Sequence, residues 1–185
     1  MYIALNNIYL KNLLYIFLFS LLSSLSVYSQ NDAASKANYK IKGIYVYQFA
    51  KNVDWPKKDK EGDFTIAVLG DEVFYNQLKT AYTGKNIGSQ KISVVFYKSI
   101  SDVKTPHLLY VSPYNRKTAI TLAKKLKNDK TLVIGEDKGL LRDGVIINFV
   151  AKNSKLAFEV SEVNAKKKEL IISQTLAKLA IVVIS

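Results

Sequence analysis

Few side chains in this chain of 185 residues are of a type, and at a spacing, that could do chemistry. "GDE" (Gly70–Glu72) and "GEDKG" (Gly135–Gly139) each set acidic residues directly behind an apolar run that ends near glycine. If those runs are parallel strands, Asp71, Glu136 and Asp137 stand at their carboxyl ends, where an α/β sheet opens its ligand crevice. One reading is therefore a polar ligand site built on these three carboxylates. The plainer reading is turn and N-cap chemistry, which asks for the same residue types.

The remaining candidates are thinner. His107 is the only histidine, and it opens an apolar run beside Pro106, so no site with several histidine ligands can form. No serine lies in a G-x-S-x-G elbow, and there is neither a Walker A sequence nor a G-x-G-x-x-G run. The chain has no cysteine, which excludes disulfides, thiol catalysis and thiolate metal sites. The expectation is a non-enzyme, with no catalytic residue, metal or cofactor assigned: a binding or regulatory module.

The elements that must position these residues follow from hydrophobic spacing. Tyr39, Gly43, Val46, Tyr47, Ala50 and Val53 recur at intervals of three and four, which predicts a helix over Lys36–Val53. Ile41, Ile44, Tyr45 and Phe49 widen its apolar face. "DWP" then ends it: Trp55 is the only tryptophan, and Pro56 pushes the residue before it out of the helical region. "FTIAVLG" (Phe64–Gly70), "KISVVFY" (Lys91–Tyr97), "HLLYVS" (His107–Ser112) and "TLVIGE" (Thr131–Glu136) read as strands. "DEVFYNQLKTAY" (Asp71–Tyr82), with Asp71 as N-cap and Val73, Phe74 and Leu78 on one face, reads as a helix. So does "PYNRKTAITLAKKLKN" (Pro113–Asn128), on Ala119, Leu122, Ala123 and Leu126.

Nearly all-apolar strands alternating with helices predict a parallel sheet covered on both faces. "GVIINFVAKNSKLAFEVS" (Gly144–Ser161) predicts a hairpin about Lys152-Asn153-Ser154. "KKKELIISQTLAKLAIVV" (Lys166–Val183) predicts a closing helix with Ile172, Leu176, Leu179, Ala180 and Val183 buried. The fold expected is a single α/β three-layer sandwich: a mixed, mainly parallel sheet, a C-terminal β-hairpin and a closing helix.

The amino-terminal segment differs. Lys11 is followed by "NLLYIFLFSLLSSLSV" (Asn12–Val27), uncharged and about as long as a signal-peptide core. Val27 and Ser29 fit the spacing a signal peptidase reads. This predicts a signal peptide over 1–29, cleaved before Gln30, and an exported domain over 30–185; an uncleaved anchor is the rival reading. The formal charge is +12. Export argues against nucleic acid as the partner of that charge and favours an envelope surface or an acidic protein domain. The plainer reading is solubilising lysines, as at Lys57, Lys58, Lys60 and Lys166–Lys168.

In order along the chain, "KIKGIYVYQFAKNVDWP" (Lys40–Pro56), "FTIAVLGDEVFYNQL" (Phe64–Leu78), "GKNIGSQKISV" (Gly84–Val94), "HLLYVS", "TLVIGE", "DGVIINFV" (Asp143–Val150), "LAFEVS" (Leu156–Ser161) and "ELIISQTLAKLA" (Glu169–Ala180) resemble the YfiR-like periplasmic regulator family. Tyr47, Phe49, Trp55 and Pro56 fall in its most recognisable stretch and are expected to serve structure or partner contact. The resemblance implies a periplasmic inhibitor of an inner-membrane diguanylate cyclase, which restrains cyclic-di-GMP synthesis and biofilm formation. It allows a sensor kinase as the alternative membrane partner, and it brings small-ligand binding and homodimerisation as family associations. Two positions depart from the pattern. Pro106 stands where some relatives carry Cys, so disulfide control is ruled out, and Ser161 follows "FEV" where Asn is usual. No ligand contact is carried over from the family. The second functional expectation is a periplasmic small-molecule binding module with its site at the sheet's carboxyl edge.

Overall fold

Residues 36–52 are helical (α1), and the chain leaves the helix just before the DWP segment, as Pro56 requires. A computed structural model describes residues 36–113 and 116–185, so the expected signal peptide lies outside the described residues. Lys40–Ser185 form the second of two compact units of the chain, and this unit holds the sheet.

Within that second unit the elements run β1 (Val53–Asp54), β2 (Phe64–Leu69), α2 (Glu72–Tyr82), β3 (Asn86–Ile87), β4 (Gln90–Tyr97), β5 (Leu108–Val111), α3 (Arg116–Lys125) and β6 (Leu132–Gly135). After these come β7 (Ile147–Lys152), β8 (Lys155–Ser161), α4 (Glu162–Lys166), β9 (Ile171–Ile172), α5 (Gln174–Leu179) and β10 (Val182–Ile184). The main sheet has eight strands in the order β10-β8-β7-β6-β5-β2-β4-β3. From β4 to β7 every neighbouring pair is parallel; the β7–β8 and β3–β4 pairs are antiparallel. The short strands β1 and β9 pair separately, antiparallel.

Strand alternation divides the core into two layers. Ala67, Leu69, Leu109, Val111 and Val133 face α3, against Ala119, Leu122 and Ala123. On the opposite face Tyr110 meets Phe74 of α2 at 4.7 Å between ring centroids. There Phe49 of α1 lies 5.5 Å from Phe149 and 4.9 Å from Phe158. Helices on both faces of a mixed, mainly parallel sheet make the three-layer α/β sandwich that the sequence predicts. The hairpin forms as expected: Lys152 pairs with Lys155, and Asn153 and Ser154 take left-handed φ of 50° and 59° in a two-residue turn.

Four expectations on the elements change. The closing helix is only α5; the segment before it pairs as β9, and β10 completes the sheet as a parallel neighbour of β8, leaving Leu179 and Val183 exposed. Ile41 and Ile44 face outward from α1, while Lys42 is buried. Val73 is 62% exposed, and α2 instead buries Phe74, Leu78 and Tyr82. Lys168 is not a solubilising lysine: it is 4% exposed and donates to the carbonyls of Leu126 and Asp129 behind α3.

Candidate functional site at the carboxyl edge of the sheet

The chain passes from β2 to β4 on one side and later resumes at β5 on the other. This puts β4-β2-β5-β6-β7 in the doubly wound order whose switch point falls between β2 and β5. The three strands there end level: Leu69 is aligned with Tyr97 on one side and with Val111 on the other. Ladder bonds continue one residue further, from Gly70 N–H to Tyr97 O (3.2 Å) and from Ser112 N–H to Leu69 O (3.1 Å). Gly70 then turns the chain with φ +80°, a conformation L side chains rarely adopt.

A cavity of about 500 Å³ opens at this point. Its apolar wall is Leu69, Ile100 and Val111. Its polar groups are Lys98, Ser99, Ser101, Ser112 and Thr118, and none of the described lining residues is acidic. The nearby carboxylate of Asp102 is occupied, accepting from Ser99 N–H at 3.1 Å and from its hydroxyl at 2.8 Å. Ser112 is 7% exposed, and its hydroxyl has no hydrogen-bond partner among the described residues.

Asp71, Glu136 and Asp137 all follow strand ends, but none of them lines this cavity. Asp71 is buried as the N-cap of α2, accepting from Phe74 N–H at 2.9 Å. Glu136 lies beyond β6, separated from Asp71 by β5. Its carboxylate accepts from Lys42 Nζ and from Tyr110 Oη, each at 2.7 Å. Asp137 is held by its backbone: its N–H donates to Asn148 Oδ1 (3.2 Å) and its carbonyl accepts from Asn148 Nδ2 (2.8 Å). The three acids thus cap, pair and turn in the surroundings the structure gives them.

Two partners in this edge escape sequence reasoning. Lys42 is hidden in a helical stripe where a lysine reads as solvent-facing, although its position one residue before buried Gly43 and four before Val46 was the available signal. Asn148 sits in the apolar run of β7, fully buried, and also donates to Glu159 Oε2 at 3.1 Å. A polar residue in such a run needs a buried partner, and that requirement was its signal.

The Trp55 seam lies at the opposite, amino-terminal edge. Trp55 is buried, stands edge-on to Phe64 at 5.0 Å and donates from Nε1 to Lys130 O at 2.9 Å. His107 stacks on Phe64 at 4.7 Å. Its Nδ1 accepts from Thr65 N–H (3.1 Å), so Nε2 carries the proton and donates to Asp59 O (2.8 Å). A smaller cavity, of about 240 Å³, is bordered by Trp55, Asp59 and His107. Of the other stretch residues, Tyr47 stacks on Tyr82 at 4.8 Å, and Phe49 is wholly buried in the aromatic core. Pro56 precedes a 3₁₀ turn over Lys57–Lys60.

Among the described residues no group of three or more His, Cys, Asp or Glu is placed to hold a metal ion. One lysine has a displaced proton affinity: burial pulls the Lys168 ammonium down to about 8, with the Asp129 charge opposing that shift and Lys130 adding to it.

The fold and cavity define a doubly wound α/β domain with a small-molecule-sized recess at its switch point. The YfiR/HmsC-like family model matches residues 39–181, and the chain belongs to that family. No curated protein matches it.

Proposed function

We propose that this protein is a periplasmic regulator that binds the periplasmic portion of an inner-membrane signalling protein. The partner is of the diguanylate cyclase or sensor-kinase type, and binding modulates cyclic-di-GMP signalling and biofilm formation. The observation that carries this reading is membership of the YfiR/HmsC-like family over most of the domain. No described helix is long and apolar enough to cross a membrane. In this reading residues 1–29 act as a signal peptide cleaved before Gln30, and the amino-terminal sequence of the exported protein tests that step. The function is tested by affinity capture from solubilised inner membranes, paired with cyclic-di-GMP measurement in a deletion strain. A captured cyclase or kinase and a changed cyclic-di-GMP level support the reading. No membrane partner and an unchanged level sink it.

A second reading, a small-molecule binding module with its site at the carboxyl edge, is favoured by the switch-point cavity. The two readings are compatible, since a ligand that prefers one conformation shifts the population that binds the partner.

A further inference from the structure

From the make-up of the switch-point cavity we infer that it is a binding site for a small organic anion, a single carboxylate or phosphate carried on an apolar body. The inference deepens the small-molecule reading and rests on it.

Position is the first argument. In a doubly wound sheet the crevice outside the carboxyl ends at the switch point is where ligands bind, because the loops on its two sides part in opposite directions there. The cavity lies over Leu69 and Val111, the last residues of the two strands that flank that point. Its volume, about 500 Å³, is within the range that encloses a small molecule.

The chemistry of the walls sets the ligand class. Leu69, Ile100 and Val111 offer an apolar surface to a ring or a short chain. Lys98 brings a cation that makes no ion pair among the described residues, and no described lining residue opposes it with a carboxylate. Asp102 and Asp71, each next in sequence to a lining residue, already accept from Ser99 and from the α2 amino terminus. An anion therefore meets the Lys98 ammonium and the hydroxyl of Ser112, whereas the one charge that a cation meets on the described lining is of its own sign.

The unpartnered hydroxyl of Ser112 is the second, independent observation. Buried hydroxyls are almost always bonded, and this one, on a residue that borders the cavity, has no partner among the described residues. The backbone N–H of the same residue is already committed to Leu69 O, so the side chain alone is available to a ligand. Gly70 lies beside it: a Cβ built there would stand in ordinary contact with Ser112 Cβ, at 3.6 Å, so it is the left-handed φ of +80° rather than lack of space that favours glycine at this turn.

Carboxylate and phosphate share this chemistry, and two probes separate them. The domain, uniformly ¹⁵N-labelled, is titrated with phenylacetate, phenyl phosphate, benzyl alcohol, benzylamine and inorganic phosphate while amide shifts are recorded. At least one aromatic anion is expected to move the amides of Gly70, Lys98, Ser101 and Ser112 saturably, with benzyl alcohol and inorganic phosphate weaker and benzylamine without effect. Lys98→Met should weaken the better anion about fivefold, the size of one partly exposed charge contact, and leave benzyl alcohol unchanged. Ser112→Val should abolish binding; if it does not fold, Ser112→Ala replaces it and should weaken the anion measurably. Benzylamine binding as tightly as the anions, or unchanged affinity in Lys98→Met, overturns the ligand class while leaving a binding site. No saturable shift at these amides with any probe overturns the small-molecule reading itself, and leaves the membrane-partner reading to its own capture experiment.

Discussion

Lys168 makes folding stability depend on pH in a direction opposite to that of most lysines. Its ammonium is buried against α3, where two carbonyls accept from it and little water reaches it. Burial lowers its proton affinity in the folded chain from the ordinary 10.5 to about 8. The unfolded chain keeps the proton up to about 10.5, whereas the folded chain gives it up near 8. Between those limits the unfolded state binds more protons, so stability rises with pH. Below pH 8 both states are charged and the full cost of the buried charge is present. The span of about 2.5 units corresponds to roughly 3 kcal/mol as an upper bound. Lys168→Met keeps the apolar stem and removes the charge, so its stability should lack that slope. The assay is urea unfolding followed by Trp55 fluorescence, a single buried reporter, on both proteins from pH 6.5 to 10.5. Subtracting the two curves cancels groups common to both, including Tyr82, whose hydroxyl burial pushes up. The wild type should gain on the variant across the upper half of that range. Parallel curves, or a wild type that loses ground as pH rises, would refute the reasoning.

Three further outcomes are expected. Trp55→Ala should lower stability by about 3–5 kcal/mol in urea unfolding, the cost of emptying a buried indole site; a fully stable variant that has lost its membrane partner would instead make the seam a contact surface. Gly135→Ala should cost about 1–3 kcal/mol in urea unfolding, because the added Cβ would stand 2.4 Å from Leu140 Cδ1, and the same substitution made in a Leu140→Ala background should cost less. Glu136→Gln should cost about 3 kcal/mol, since it removes the opposite charge that faces the buried Lys42 ammonium; Lys42→Met with Glu136→Gln should be more stable than the single variant, which a double-mutant cycle by thermal melts measures.

The central strands were legible because strands buried on both faces must be apolar throughout, and each such run is closed by a turn residue. The α2 start was legible for the same kind of reason, since Asp71 supplies the oxygen that a first helical turn lacks. The end of the chain misled because Ile172, Leu176 and Leu179 keep helical spacing across a segment whose β-branched pairs, Ile171-Ile172 and Val182-Val183, pull it into strands on either side of α5. Lys42 and Lys168 could not be read as buried from type alone, because a lysine stem is apolar enough to be covered and only tertiary neighbours decide where its charge ends. The switch-point cavity draws on the ends of three strands far apart in the chain. No local pattern can announce it, although strand order once known points straight to it. The acids at the strand ends were visible for their type; that Glu136 meets Lys42 and Tyr110 depends on how α1 crosses the sheet.

The path of α1 also constrains how the molecule is made. The hydroxyl of Ser173 bonds Asn52 at the end of α1 across a sequence separation of 121 residues, and the aromatic face of the same helix needs Phe149 and Phe158 from the hairpin. At about 5–20 residues per second of synthesis, the α1 end waits roughly 6–24 s for that partner. Until the hairpin emerges, Phe49 also lacks the two phenylalanine rings it packs against. Folding of this domain is therefore closed by its last third rather than begun by its first, and a nascent chain halted before the hairpin presents a sticky helix to whatever holdase is near.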